Sequence, residues 1–295
     1  MSKATRIKQQ NAREKIAAQR AAARRSEIRK RAYLAGGSVV AVVAIVLVIV
    51  FVGLHKSSGG GSSNIPVTGV ALPASVSTNV TTVPASTLDT VGAGSLSSGL
   101  PIKPASGATL TSGGHPEMLY IGAEYCPYCA AMRWSMAVAL SRFGTLSPLH
   151  GIYSSSSDVD AHTATLTFYK SSYTSNYLTF TPVENETVTK APLQNTTSAQ
   201  LALWQKYGSS PQGLGYPFID IGNKYVITGP TYDPAVLKGL TWAQIATDLH
   251  NPSSPVAQAA DGTANLITAA ICKMTNGQPG SVCTSAAVTK ASAAL

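Results

Sequence analysis

The sequence predicts a mixed α/β domain held outside the cytoplasm on one membrane-spanning helix. Three observations lead there. From residue 115 onward, strand-like and helix-like patterns follow the order β-α-β, two strand-like runs, then α-β-β-α and a further helix. A basic tail runs directly into an uninterrupted apolar stretch. A Cys-x-x-Cys motif stands where the first of these strands gives way to its helix.

The net charge of +9 is not spread along the chain. Residues 1–33 hold eleven bases and two acids, which accounts for the whole excess; the other 11 bases and 11 acids cancel. No aromatic residues interleave these charges, so a topology signal that also touches anionic lipid is expected, not a nucleic-acid arm. From Ala32 to Leu54 there is no charged residue, and Val39 to Val52 is wholly apolar. About 20 such residues cross a bilayer core. The stretch exceeds a signal-peptide core, and Gly53-Leu54-His55-Lys56 is a poor cleavage site. Residues 34–54 are therefore expected to form an uncleaved, single-pass anchor in the cell membrane. Lys and Arg collect on the cytoplasmic side, which puts residues 1–33 inside and the rest outside. Residues 55–82, rich in Gly, Ser and Thr, read as a linker. Residues 83–295 are left as the extracytoplasmic domain, with its core at about 115–250.

Pro84 to Val91 suits a short helix with proline in its first turn, and residues 92–115 are loop-rich. Glu117 to Ala123 is a buried strand, and Ala130 to Phe143 is apolar at helical spacing up to Gly144. Leu149 to Tyr153 is expected as the next strand. The runs Thr165–Tyr169 and Tyr177–Val183 are expected to pair as an inserted hairpin. Thr197-Ser198-Ala199-Gln200 is a capping box that opens a helix. Tyr216 to Ile221 is a strand reached through Pro217; Gly222-Asn223 turns it back into Lys224–Thr228. A second capping box, Thr241 to Gln244, starts a helix to about His250, and an extra C-terminal helix is expected from about Thr263 to Thr275.

Four cysteines remain, all on the expected outer side, where disulfides persist. Cys126 and Cys129 flank Pro127-Tyr128 at a helix N-terminus. There the unsatisfied backbone N–H groups and the helix dipole favour a thiolate at the first cysteine. Cys126 is the candidate nucleophile, and Cys129, a turn deeper, the resolving thiol. Pro127 fits the first turn because it needs no donor there. The alternatives are a structural disulfide or half of a zinc site, and zinc needs further ligands. No metal and no cofactor is expected. Cys272 and Cys283 are expected to bond each other and tie down the last helix; a second redox pair is the alternative. Asp158, Asp160 and His162 alternate in a polar loop that would suit a cation but more often is plain surface. Tyr169, Tyr173 and Tyr177 suit either sheet packing or a peptide groove.

The run Ala123-Glu124-Tyr125-Cys126-Pro127-Tyr128-Cys129 resembles the active-site segment of thioredoxin, with a dipeptide typical of glutaredoxins and close to that of bacterial periplasmic Dsb oxidases. Tyr216-Pro217 ahead of a hairpin resembles the cis-proline that thioredoxin-like proteins place beside the active site. The element order also matches the thioredoxin fold, apart from the inserted hairpin and the C-terminal addition. More closely, the chain resembles an uncharacterised prokaryotic thioredoxin-like family with the same run from Tyr120 through Phe143. The resemblance covers about residues 115–250. It implies a membrane-tethered thiol–disulfide oxidoreductase acting on exported proteins, with an unidentified electron partner in the membrane. Supporting roles fall to Pro127, Tyr128, Glu124 and Tyr216. A non-catalytic binding or chaperone module with a closed disulfide is the rival. Two departures stand out. Tyr120 replaces the buried aspartate of thioredoxin, with Glu124 expected to be too exposed to substitute for it. Tyr128 replaces the Dsb histidine and brings no cation.

Overall fold

A computed structural model describes residues 69–95 and 102–295. The basic tail, the anchor segment 34–54 and the first half of the linker lie outside these residues. Among the described residues, no helix is long and apolar enough to cross a membrane. The second half of the expected linker belongs to the folded domain. Strand β1 (Val70–Ala71) pairs antiparallel with β6 (His150–Tyr153). Helix α1 (Ala74–Thr81) buries Val76 and Val80, its apolar i, i+4 pair. Val, Thr and Ser without a long period hid this one short apolar stripe in the sequence. Helix α2 (Ala85–Val91) follows, with Pro84 at its N-cap.

The main sheet is built from β2 (Ile102–Pro104), β3 (Thr111–Ser112), β4 (His115–Gly122), β9 (Thr179–Glu184), β12 (Phe218–Ile221) and β13 (Tyr225–Thr228). Its order is β2-β13-β12-β4, with β9 lying parallel to β4 and β3 pairing the first residues of β4. Between β4 and β9 come helix α3 (Pro127–Ser141), β5 (Gly144–Ser147), β6, β7 (Ala164–Thr167) and β8 (Ser172–Ser175).

The inserted hairpin is corrected here. The two strand-like runs do not pair with each other: β7 pairs with β6, and β9 pairs with β4. The chain between them is taken up by β8, which pairs with β5. β9 therefore closes a parallel crossover from β4 through α3, a connection that only a long segment can make. Phe180 in β9 seats its ring edgewise on Phe168 and Tyr173, and this cluster holds the strand in place. The expected second strand, β6, belongs instead to a separate sheet, β1-β6-β7.

Helix α4 (Ser198–Gly208) carries a complete capping box at Thr197 and Gln200. A short ladder, β10 (Ser209–Ser210) with β11 (Gly213–Leu214), then leads to β12. The β12–β13 connection is one residue longer than the expected turn, because Ile221 pairs with Tyr225. Gly222 and Asn223 both take positive φ there. Helix α5 (Trp242–Asp248) has the second capping box.

Helix α6 (Pro255–Met274) begins two turns earlier than expected. Ser254 caps it by accepting from the Ala257 N–H at 2.9 Å, and Pro255 needs no donor in the first turn. Gly262 lies inside it because the chain after α2 crosses there: a Cβ would stand 2.5 Å from the Ala93 carbonyl oxygen. The folded core thus extends well past residue 250.

Helix α3 is buried nearly all round. The sheet, β7, α1 and α6 all pack on it, which is why its sequence shows no polar face. Helices α7 (Gly280–Cys283) and α8 (Ala286–Ser292) complete the chain. A hydrogen-bonded network ties α2, α3, α6 and the start of α8. Asn265 donates to the Leu88 and Gly92 carbonyls, both at 2.8 Å. Arg142 reaches Asn265 and Ser285, and Asp89 accepts from the Ala287 N–H at 2.9 Å.

Cys272 and Cys283 are bonded, with an S–S distance of 1.99 Å. Replacing both by serine is expected to lower the unfolding free energy by about 2–5 kcal/mol, the usual cost of a lost native disulfide. Urea unfolding of the double variant measures it; an unchanged midpoint would show that packing alone holds α7.

Candidate functional site

Strand β4 delivers the chain to the site. Gly122 ends the strand, residues 123–125 turn, and Cys126 becomes the N-cap of α3. The Cys126 Sγ accepts from the Cys129 N–H at 3.4 Å. Both thiols are free. Cys126 is 5% exposed and Cys129 fully buried, so only the first is open to a partner. The two thiols are pushed in opposite directions. The hydrogen bond with Cys129 lowers the Cys126 pKa, helped by the backbone N–H groups of Cys129 and Tyr128 and by the Arg133 charge, against burial. Burial first, then the neighbouring Cys126, raises that of Cys129. The pair is therefore chemically asymmetric, with the outer sulfur the more readily ionised of the two.

The expected supporting residues do not all behave alike. Pro127 occupies the first turn, and Tyr128 is 37% exposed between the two cysteines. The Tyr216–Pro217 peptide is cis. Tyr216 packs with Ala123, Cys126 and Cys129, sets its ring edgewise to Tyr125, and leans on Trp204. Its hydroxyl accepts from Asn185 at 3.1 Å and donates to Glu186 at 3.3 Å. A cleft of about 270 Å³ adjoins it, lined among others by Asn185, Glu186, Lys190 and Gln194.

Glu124 is corrected: it is 1% exposed. Its side chain turns inward and accepts from the Thr167 hydroxyl at 2.8 Å. Burial raises its pKa to about 7, with the Thr167 hydrogen bond opposing. A polar residue in a turn reads as surface in a sequence, but here the turn is covered by β7.

Two residues that sequence reasoning passed over lie beneath the cysteines. Arg133, fully buried, stands one helical turn past Cys129. It donates to both carboxylate oxygens of Glu184, at 2.9 and 2.7 Å, and to the Ala123 carbonyl at 2.9 Å. Glu184 closes β9 directly opposite Gly122 in the register. The cation that Tyr128 does not supply therefore comes from the inner side. The available signal was a single arginine in an otherwise apolar helical run, where an unpaired charge would be untenable. Tyr120 is also fully buried, with its ring edgewise to Phe168 and 5.9 Å from the Arg133 guanidinium.

Asp158, Asp160 and His162 do not converge; His162 stacks on Tyr153, and among the described residues no group of three such side chains gathers as a metal site. Tyr173 donates to the Leu140 carbonyl, and Tyr177 packs on the core, so neither lines a groove.

Fold and site together define a mixed α/β domain with an asymmetric Cys-x-x-Cys pair at a helix N-terminus. Residues 102–273 match the family described as a domain of unknown function, DUF929, and the chain belongs to it. No curated protein and no solved structure matches the chain.

Proposed function

We propose that the chain is a thioredoxin-like, membrane-tethered thiol–disulfide oxidoreductase that acts on exported proteins. The observation that carries this reading is the asymmetry of the pair: Cys126 is the N-cap of α3 and slightly exposed, and hydrogen bonding with Cys129 lowers its pKa, while Cys129 is fully buried, which raises its own. Three features support it. The β4-α3-β9 crossover, the β12–β13 hairpin and α6 beside α3 are the elements a thioredoxin-like arrangement calls for. Pro217 brings Tyr216 against the cysteines. The apolar segment 34–54 and the basic tail supply the tether and its orientation.

The Cys126 thiolate attacks a substrate disulfide, forming a mixed disulfide and releasing one substrate thiol. Cys129 then bonds Cys126 and releases the second. Run backwards, the oxidised pair oxidises a substrate dithiol. A membrane partner would restore the starting state.

Cys129→Ser is expected to accumulate mixed disulfides with exported proteins, and Cys126→Ser to abolish them. Capture of the adducts on a non-reducing gel, with mapping of the bonded cysteine, tests this; adducts through Cys272 or Cys283 would reverse the assignment. The pair's reduction potential is expected at roughly −200 to −230 mV, the glutaredoxin range. A value below about −300 mV, typical of structural disulfides, would favour a binding module with a closed bond.

A further inference from the structure

We propose that Tyr120 and Arg133 together promote ionisation of Cys129 by a different route from a proton-accepting carboxylate: the phenol hydroxyl and the guanidinium stabilise its thiolate as it resolves a mixed disulfide. The inference rests on the thiol–disulfide reading above.

The geometry begins with β4. Tyr120 and Gly122 share one face of the strand. A Cβ on Gly122 would lie 2.0 Å from the Tyr120 hydroxyl oxygen, so the phenol extends over the glycine toward the end of the strand. That end leads into the cysteine turn, and the hydroxyl lies beside the Cys129 thiol. Glycine at 122, with no Cβ, leaves room for it. Arg133 approaches from the helix, four residues past Cys129 and so on the same helix face. Its Nε and Nη2 are committed to Glu184 and Ala123. Its Nη1 and the Tyr120 hydroxyl are both buried without a hydrogen-bond partner. The hydroxyl beside the buried sulfur and the guanidinium one helical turn past it thus each hold an unspent donor, and a buried donor without an acceptor is costly. A thiolate at Cys129 would be that acceptor.

The charged and titratable groups around Cys129 are Tyr120 from β4, Cys126 and Arg133 from α3, Glu184 from β9 behind the arginine, and Glu124 from the turn. Burial holds the phenol well above its ordinary pKa, so Tyr120 donates a hydrogen bond and does not accept the proton. The step balances without an external oxidant. The Cys129 sulfur bonds the Cys126 sulfur, and the bond between Cys126 and the substrate breaks. The substrate leaves as a thiolate and takes up, through water, the proton that Cys129 lost.

The test uses Tyr120→Phe in the full chain, a change that removes only the hydroxyl. Cys129 is titrated by thiolate absorbance with Cys126 replaced by alanine. Separately, a thionitrobenzoate mixed disulfide is formed on Cys126 and its release by Cys129 is timed. The expected result is a Cys129 pKa about one unit higher and release about tenfold slower at pH 7, the scale of one hydrogen bond to an anion. The first attack by Cys126 should stay within about twofold. A double Arg133→Met, Glu184→Met variant should slow release in the same direction. An unmoved Cys129 titration overturns the inference, even if release slows, because the hydroxyl would then act only in packing. A wild-type chain that forms no mixed disulfide fails the exchange reading itself and takes this role with it.

Discussion

Arg133→Met alone is expected to destabilise the domain by about 3–5 kcal/mol, the penalty for breaking a buried ion pair from one side. The arginine and Glu184 are both fully buried and bonded through two parallel hydrogen bonds. Methionine fills most of the volume but leaves the carboxylate without its cation, and the Ala123 carbonyl loses a donor. The Glu184 carboxylate then keeps only the Phe168 N–H as a donor, at 3.3 Å. Replacing both partners by methionine should recover most of the loss, since an apolar pair carries no uncompensated charge. Urea unfolding of the two variants checks this; a double variant as unstable as the single one would show that the cost lies in packing.

Asp261→Asn is expected to remove about half of the pH dependence of stability between about pH 4 and pH 8. Asp261 lies in α6, fully buried, with neither carboxylate oxygen hydrogen-bonded. Burial raises its pKa from 3.8 to about 8. The folded state therefore holds the proton more tightly than the unfolded chain. That contribution to stability is complete below pH 3.8 and is lost as pH rises through about 8. A shift of this size corresponds to about 6 kcal/mol across the window. Glu124, raised to about 7, and Asp220, raised to about 6, add the same sign over narrower ranges. The unfolding midpoint should thus fall with rising pH in the wild type. The asparagine variant should match it near pH 4 and exceed it at pH 8. A wild-type midpoint that climbs over this interval would contradict the protonated Asp261.

What the sequence made legible was local. Both capping boxes, the Cys-Pro-Tyr-Cys helix start and the strand character of 164–167 and 179–184 are written within a few neighbouring residues. Strand partners are not. Nothing near Thr179 says that it will lie parallel to Glu117, because that pairing depends on where a long crossover lands. The buried charges were hidden for a related reason. Glu124 looks like a turn residue and Arg133 like a helix surface residue until the elements that cover them are in place. Tyr120 was noticed only as a missing aspartate; its use of the space over Gly122 needs three dimensions.

The network joining Asp89, Arg142 and Asn265 to the start of α8 has a consequence for how the domain comes apart. Helices α2 and α8 have seven residues each, too few to persist as isolated helices in water. Each is held by docking, and Asp89 of α2 accepts from the first turn of α8. Release of one removes a partner of the other, so the opening of either end propagates to its counterpart. The second and the last described helices, far apart along the chain, thereby form one cooperative unit.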